Sequence, residues 1–168
     1  MTAQRQERYG LRRQTAVFAL LVGLFYVLGL DFAARAATTE RIVVNRYSGL
    51  AIGGFDPVAY FTDSMAVQGL PDYEAREGGA VWRFRNEGNR ASFVAHPEIY
   101  GPQFGGYDPV DLGRGVTLAG NPHFWVVAGQ RLYLFGREEN RDAFAADPQR
   151  FLKEATARWP AVERGLAQ

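Results

Sequence analysis

Few side chains in this chain are equipped for chemistry. There are two histidines, His96 and His123, and two aspartates, Asp56 and Asp108, that recur in matching settings, Gly-Gly-Phe-Asp-Pro-Val and Gly-Gly-Tyr-Asp-Pro-Val. Imidazole nitrogens together with carboxylates are ligands for hard or borderline divalent ions. Two carboxylates held together with their pKa values pushed apart can do general acid–base work. Each residue also has a plainer use. Asp before Pro opens a turn, because its side chain accepts from the backbone just downstream. When the two aspartate segments are aligned, His96 falls opposite Asp147 and His123 opposite Asp72. Each histidine thus holds a position beside a proline that aspartate also fills, and a turn or helix-end hydrogen bond explains that exchange without an ion.

Other options are thinner. Gly113-Arg114-Gly115 puts a cation between glycines but lacks the strand–loop–helix frame of a phosphate loop, and reads as a surface turn. Ser64 and Ser92 lack the surroundings of a nucleophile elbow. Asn89-Arg90 and Asn140-Arg141 recur at one helical place, where the arginine could hold its helix against the sheet or reach a partner's carboxylate. The chain has no cysteine, which removes disulfides, thiolate metal sites and thiol catalysis. No catalytic set and no cofactor is expected.

The elements that must position these residues come as an internal repeat. After the two Asp-Pro segments, Gly69-Leu70-Pro71 matches Gly120-Asn121-Pro122. Val81-Trp82-Arg83-Phe84 matches Leu132-Tyr133-Leu134-Phe135, and Glu87–Pro97 matches Glu138–Pro148. Each copy predicts extended pieces (Val58 to Phe61 and Tyr73 to Glu77 in the first, Val116 to Leu118 and Phe124 to Ala128 in the second). A hairpin turn follows at Gly78-Gly79 or Gly129-Gln130, then a strand over Val81–Phe84 or Arg131–Phe135. A helix over Glu87–Ala95 or Glu138–Ala146 closes the unit, stopped by His96-Pro97 or Asp147-Pro148. A last helix, Gln149 to Trp159, carries Leu152, Ala155 and Trp159 at helical spacing and is expected to end at Pro160. A unit of about fifty residues buries too little core by itself. The aromatic residues Phe61, Tyr73, Trp82, Phe84, Phe93, Phe124, Trp125, Tyr133, Phe135 and Phe144 therefore predict one interior shared by both copies. The expected fold is α+β, two pseudo-symmetric β-sheet-plus-helix repeats (53–104 and 105–151, with the C-terminal helix at 149–159) within a body at 53–160.

The flanks carry the address. Arg5, Arg8, Arg12 and Arg13 precede the apolar run Ala16–Leu30, and Ala34-Arg35-Ala36 offers a small-residue cleavage site. This predicts an export signal or signal-anchor over 1–36 with the N-terminus in the cytoplasm. A lead-in (37–52) with a strand at Ile42-Val43-Val44 and a tail (161–168) complete the chain. Residues 1–36 carry five arginines against Glu7 and Asp31. The chain as a whole is +1, so the remainder is mildly acidic and offers no electrostatic case for nucleic acid.

Gly54-Phe55-Asp56-Pro57-Val58-Ala59-Tyr60-Phe61, Trp82-Arg83-Phe84, Asn89-Arg90, Phe93, His96-Pro97, Tyr100, Phe104-Gly105-Gly106-Tyr107 and Ala157-Arg158-Trp159-Pro160 together resemble the YHS domain family. The resemblance runs from about residue 48 to 160. It implies a YHS/TRASH-like fold and a small, exported bacterial protein. In the wider group, metal binding is tied to a cysteine after Asp-Pro-Val and to cysteines flanking the helix start. Here those positions hold Ala59, Arg85 and Asn89 in one copy, and Asp111, Gly136 and Asn140 in the other. Close relatives also tend to carry a cysteine after the second Gly-Gly-Tyr, where this chain has Asp108. The fold carries over in this expectation; thiolate metal chemistry does not.

These readings converge on an exported, non-enzymatic binding module in the bacterial periplasm, anchored to the inner membrane or released. It would hold a protein partner or small ligand in a groove between its copies, with Asp56, Asp108, His96 and His123 as candidate ligand contacts. Two alternatives stay open: a metal-handling protein (copper or another divalent ion) using His and carboxylate ligands, and an accessory subunit of a membrane oxidoreductase.

Overall fold

Asp56-Pro57 and Asp108-Pro109 each start a helical turn, not the strand expected over Val58–Phe61. The computed structural model describes residues 40–166, so the export segment expected at 1–36 lies outside the described residues. After Asp56-Pro57 the chain forms α1 (Ala59–Thr62). The reason is local. Asp56 Oδ1 accepts from the backbone N–H of Val58 at 2.9 Å and of Ala59 at 3.4 Å, satisfying donors that an extended chain would send to a neighbouring strand. Asp with Pro just inside a helix start is a readable signal, and the apolar run had masked it.

A hairpin follows. Leu70–Glu77 (β1) pairs antiparallel with Ala80–Phe84 (β2), with a bulge between Leu70 and Glu74. The turn residues Gly78 and Gly79 both have positive φ, 59° and 82°, the left-handed pair whose twist suits a two-residue hairpin link. Helix α2 (Glu87–Ala95) then crosses the sheet, capped by the Asn86 side chain, which accepts from the Asn89 N–H at 2.8 Å. Phe93, fully buried, stacks obliquely on Trp82 and Phe84 with ring centroids 4.9 and 5.2 Å away. Burying such a ring contributes about 2–3 kcal/mol. Pro97 opens a short turn of helix, α3 (Pro97–Tyr100), which leads to the second Gly-Gly segment.

The second half runs through the same steps. Asp108 caps α4 (Pro109–Gly113), and Asn121–Ala128 (β3) pairs with Arg131–Phe135 (β4) around Gly129-Gln130, both again at positive φ. Between α4 and β3, Val116 to Leu118 stays without strand pairing, against expectation. Helix α5 (Glu138–Ala146) lays Phe144 on Tyr133 and Phe135, at 5.0 and 5.1 Å. Both helices keep the expected bounds. The fold is therefore mixed α+β with two small antiparallel two-stranded sheets.

Two further expected elements differ. The lead-in makes an isolated bridge, Val44 to Ala51, where a strand was expected. Val43 nonetheless donates its N–H to the Gly105 carbonyl (2.8 Å) and accepts from the Ile52 N–H (3.2 Å), so it stitches one Gly-Gly segment to the other. The C-terminal helix α6 (Pro148–Gly165) runs through Pro160, so 161–165 continue the helix and are not a tail. Proline removes the donor that would reach the Thr156 carbonyl. Thr156 is exposed, so that carbonyl can be hydrated. Buried Ala155 holds the helix down, as does Trp159 through its rings against Phe104 (5.7 Å) and Tyr107 (6.3 Å).

The buried apolar residues gather in two clusters, where a single interior was expected. One holds Trp82, Phe84 and Phe93, the other Val110, Tyr133, Phe135 and Phe144. Strand β4 serves both: Leu132 and Leu134 join the first cluster, Tyr133 and Phe135 the second. Alternate side chains of a strand point to opposite faces, so one strand can wall two interiors at once. Tyr60, fully buried in the first half, donates its hydroxyl to the Pro122 carbonyl at 2.9 Å. Burial, with the Asp56 carboxylate adding to it, pushes the Tyr60 phenol well above its ordinary value.

Candidate functional site

Asp56 and Asp108 are both fully buried and are held in the same way. Asp56 Oδ2 accepts from the Arg85 backbone N–H at 2.9 Å and from Asn89 Nδ2 at 2.7 Å. Asp108 Oδ1 accepts from Val110 and Asp111 N–H (2.9 and 3.3 Å), and its Oδ2 accepts from Gly136 N–H (2.9 Å) and Asn140 Nδ2 (2.7 Å). Each carboxylate thus receives four donors and ties three elements together: the turn after Pro, the end of the hairpin and the following helix. Burial raises the Asp108 pKa, and the four hydrogen bonds (Asn140 first) oppose it without cancelling it.

The recurring Asn-Arg pairs divide their work differently from the sequence reading. The asparagines reach the buried aspartates, while the arginines turn to their own helices, Arg90 to Glu87 and Arg141 to Glu138 and Asp142. The signal was present, since both members recur; the shorter amide is the one that fits the interior.

The halves part company at one position. Ala59 in the first corresponds to Asp111 in the second, almost fully buried. Asp111 Oδ2 receives Arg137 Nη2 at 2.5 Å and Asn140 Nδ2 at 3.1 Å, and its Oδ1 receives Arg114 Nη1 at 3.2 Å. The Asp111 carboxylate in turn strengthens the hold of the Arg137 guanidinium on its proton. Arg114, expected in a surface turn, sits in one and also covers this carboxylate. The positions Ala59/Asp111, Arg85/Gly136 and Asn89/Asn140 converge on one aspartate in each half, Asp56 or Asp108. Asp56 and Asp108 are held by backbone N–H and side-chain amide donors, and guanidinium groups reach only Asp111, in the second half.

His96 and His123 lie apart from these networks. His96 is exposed, its Nδ1 3.5 Å from Glu98 Oε1. The exposed His123 packs edge-on against Phe55 at 5.0 Å, and its N–H donates to Asn121 Oδ1. The counterpart of His96, Asp147, does cap a helix, accepting from the Arg150 N–H at 3.3 Å. Among the described residues, no three His, Asp or Glu side chains are grouped so as to hold a metal ion.

Among the described residues, the surface holds a cleft of about 640 Å³. It does not lie between the two hairpins. Its lining includes the turn end of the first hairpin, Glu77–Gly79, with Trp82 and Phe93, and Trp159 and Glu163 of α6. Pro97, Glu98 and Gly101–Gly105 of the following link, with Arg41 and Ile42 of the lead-in, complete it. Only the folded chain brings these residues together, and no local pattern announced them. Among the described residues, no helix is long and apolar enough to cross a membrane.

Compared with protein-family models, with curated proteins and with solved structures, the chain matches none.

Proposed function

We propose that this chain is an exported, non-enzymatic binding module of YHS type, built from two copies of one hairpin-and-helix unit, whose cleft between the first hairpin and α6 takes a small ligand. The cleft itself carries the reading: its volume lies within the range of small-molecule sites, and it combines aromatic walls with a few polar groups. The paired networks support the duplicated architecture. Asp56–Asn89 and Asp108–Asn140 repeat the same bonds, and the family's thiolate positions surround the same aspartate in each half. A structural role for these aspartates also fits, because their oxygens are already occupied by donors from the protein. Export rests on the basic and apolar N-terminal run.

The three tryptophans make the test direct. Trp82 and Trp159 line the cleft, whereas Trp125 packs on Tyr60. In nuclear magnetic resonance titrations of the full-length chain with a small-molecule library, binders should move the Trp82 and Trp159 indole signals and spare Trp125. Binders that instead perturb the surroundings of Asp108 or His123 would overturn the assignment. Cell fractionation and the mass of the mature N-terminus test the export step.

A further inference from the structure

We infer that the cleft selects an organic cation, an alkylated ammonium group on a small apolar body; this rests on the cleft being the ligand site. The charges on its lining are unequal. Among the described residues, the lining holds three carboxylates, Glu77, Glu98 and Glu163, and one guanidinium, that of Arg41. Glu98 is partly engaged elsewhere, by His96 at its carboxylate and by Arg131, which donates to its backbone carbonyl at 2.6 Å. Glu77, on the first hairpin, and Glu163, on α6, remain as the carboxylates available to a ligand.

The apolar lining combines Ile42, Pro97 and Pro102 with four rings, of which Trp82 and Phe93 are almost fully buried and Phe104 and Trp159 are the more accessible. Phe104 and Trp159 are half-buried and meet edge to face at 5.7 Å, leaving ring surface on the cleft side. Trp82 has its indole N–H committed to the Glu77 carbonyl at 3.0 Å, so it offers an incoming anion no donor. A cleft of apolar carbon with accessible ring surface at Phe104 and Trp159 and an excess of carboxylates in its lining repels anions and gives a fully hydrated cation little to replace its water. It favours a cation whose charge is spread over alkyl groups, because such an ion is cheap to dehydrate and is attracted by the negative face of an aromatic ring.

The test uses three probes of similar shape on the full-length chain: phenyltrimethylammonium, its neutral carbon isostere tert-butylbenzene, and the anion tert-butylbenzoate. The cation should bind roughly tenfold more tightly than the neutral isostere, the size of a desolvated cation–π contact with added carboxylate attraction, and the anion should not bind. Replacing Glu77→Gln together with Glu163→Gln should reduce the cation's advantage over the neutral isostere, leaving the part that comes from the rings. If tert-butylbenzene binds as tightly as the cation, or if the cation does not bind, the inference is overturned. The cleft assignment is judged separately by the library titration, in which a ligand of any charge counts.

Discussion

Asn140 Nδ2 lies 2.7 Å from the carboxylate of Asp108, and this contact between two buried side chains pins helix α5 to the turn that starts the second half. Asn89 and Asp56 make the same contact at the same distance in the first half. A buried carboxylate that loses one of its donors keeps its desolvation cost and loses compensation, so the amides should matter more than the more conspicuous arginines beside them.

Asn140→Ala and Asn89→Ala should each destabilise the fold by about 2 kcal/mol, the usual cost of leaving a buried charged acceptor short of a donor. Arg90→Ala and Arg141→Ala, whose partners lie on the exposed face of their own helices, should change stability much less. Urea unfolding of the four variants checks the order; arginine variants more damaging than asparagine variants would contradict it.

Burial raises the Asp108 pKa in the folded chain, so the folded state holds this proton more tightly than the unfolded state. The group's contribution to stability is therefore greatest below the ordinary carboxylate range and is lost as pH rises through the folded pKa. Asp108→Asn cannot titrate. The stability of the native chain relative to this variant should grow as pH falls from neutrality towards the carboxylate range, as read by urea midpoints. A gap independent of pH would refute the sign.

Arg137→Met should destabilise, because it removes the closest counter-charge of buried Asp111. Adding Asp111→Ala should recover part of that loss, since the matching position in the first half is already Ala59 and needs no counter-charge. The double variant should thus melt above Arg137→Met alone, a coupling that a thermal double-mutant cycle measures.

Gly53 and Gly105 have nearly the same backbone angle, φ 65° and 63°, and different neighbours. A Cβ on Gly105 would lie 1.9 Å from the Arg41 carbonyl oxygen, whereas one on Gly53 meets nothing closer than 3.8 Å. Gly53→Ala should cost about 1–2 kcal/mol from conformation alone, and Gly105→Ala distinctly more, as the lead-in must shift. Equal unfolding midpoints for the two would show that the Arg41 contact does not hold the lead-in in place.

The hairpins and the helices α2 and α5 were legible in the chain because their signals are local: left-handed turn residues at Gly78-Gly79 and Gly129, strand-length runs on either side, and Phe93 and Phe144 on the inward face of a helix stopped before proline. Helices α1 and α4 were harder to read. Their starts depend on a carboxylate that caps the turn with one oxygen while reaching a distant helix with the other, and only the Asp-Pro signature hints at it. The passage of α6 through Pro160 was hidden for the opposite reason. Local propensity argues for a stop, and the packing of Ala155 and Trp159 carries the helix onward.

The order of residue types along the chain by itself determined the α+β composition, the hairpin turns, the bounds of the two long repeat helices and the mild acidity beyond the N-terminal run, all of which depend on near neighbours or on counting. Tertiary structure alone decided which polar side chain of each Asn-Arg pair enters the interior. It also decided that β4 walls two clusters instead of one, that Asp111 is wrapped by Arg114 and Arg137, and that Trp159 and Glu77 line the same cleft. Each of these depends on how segments far apart in the chain compete for the same space, and sequence spacing carries no record of that competition.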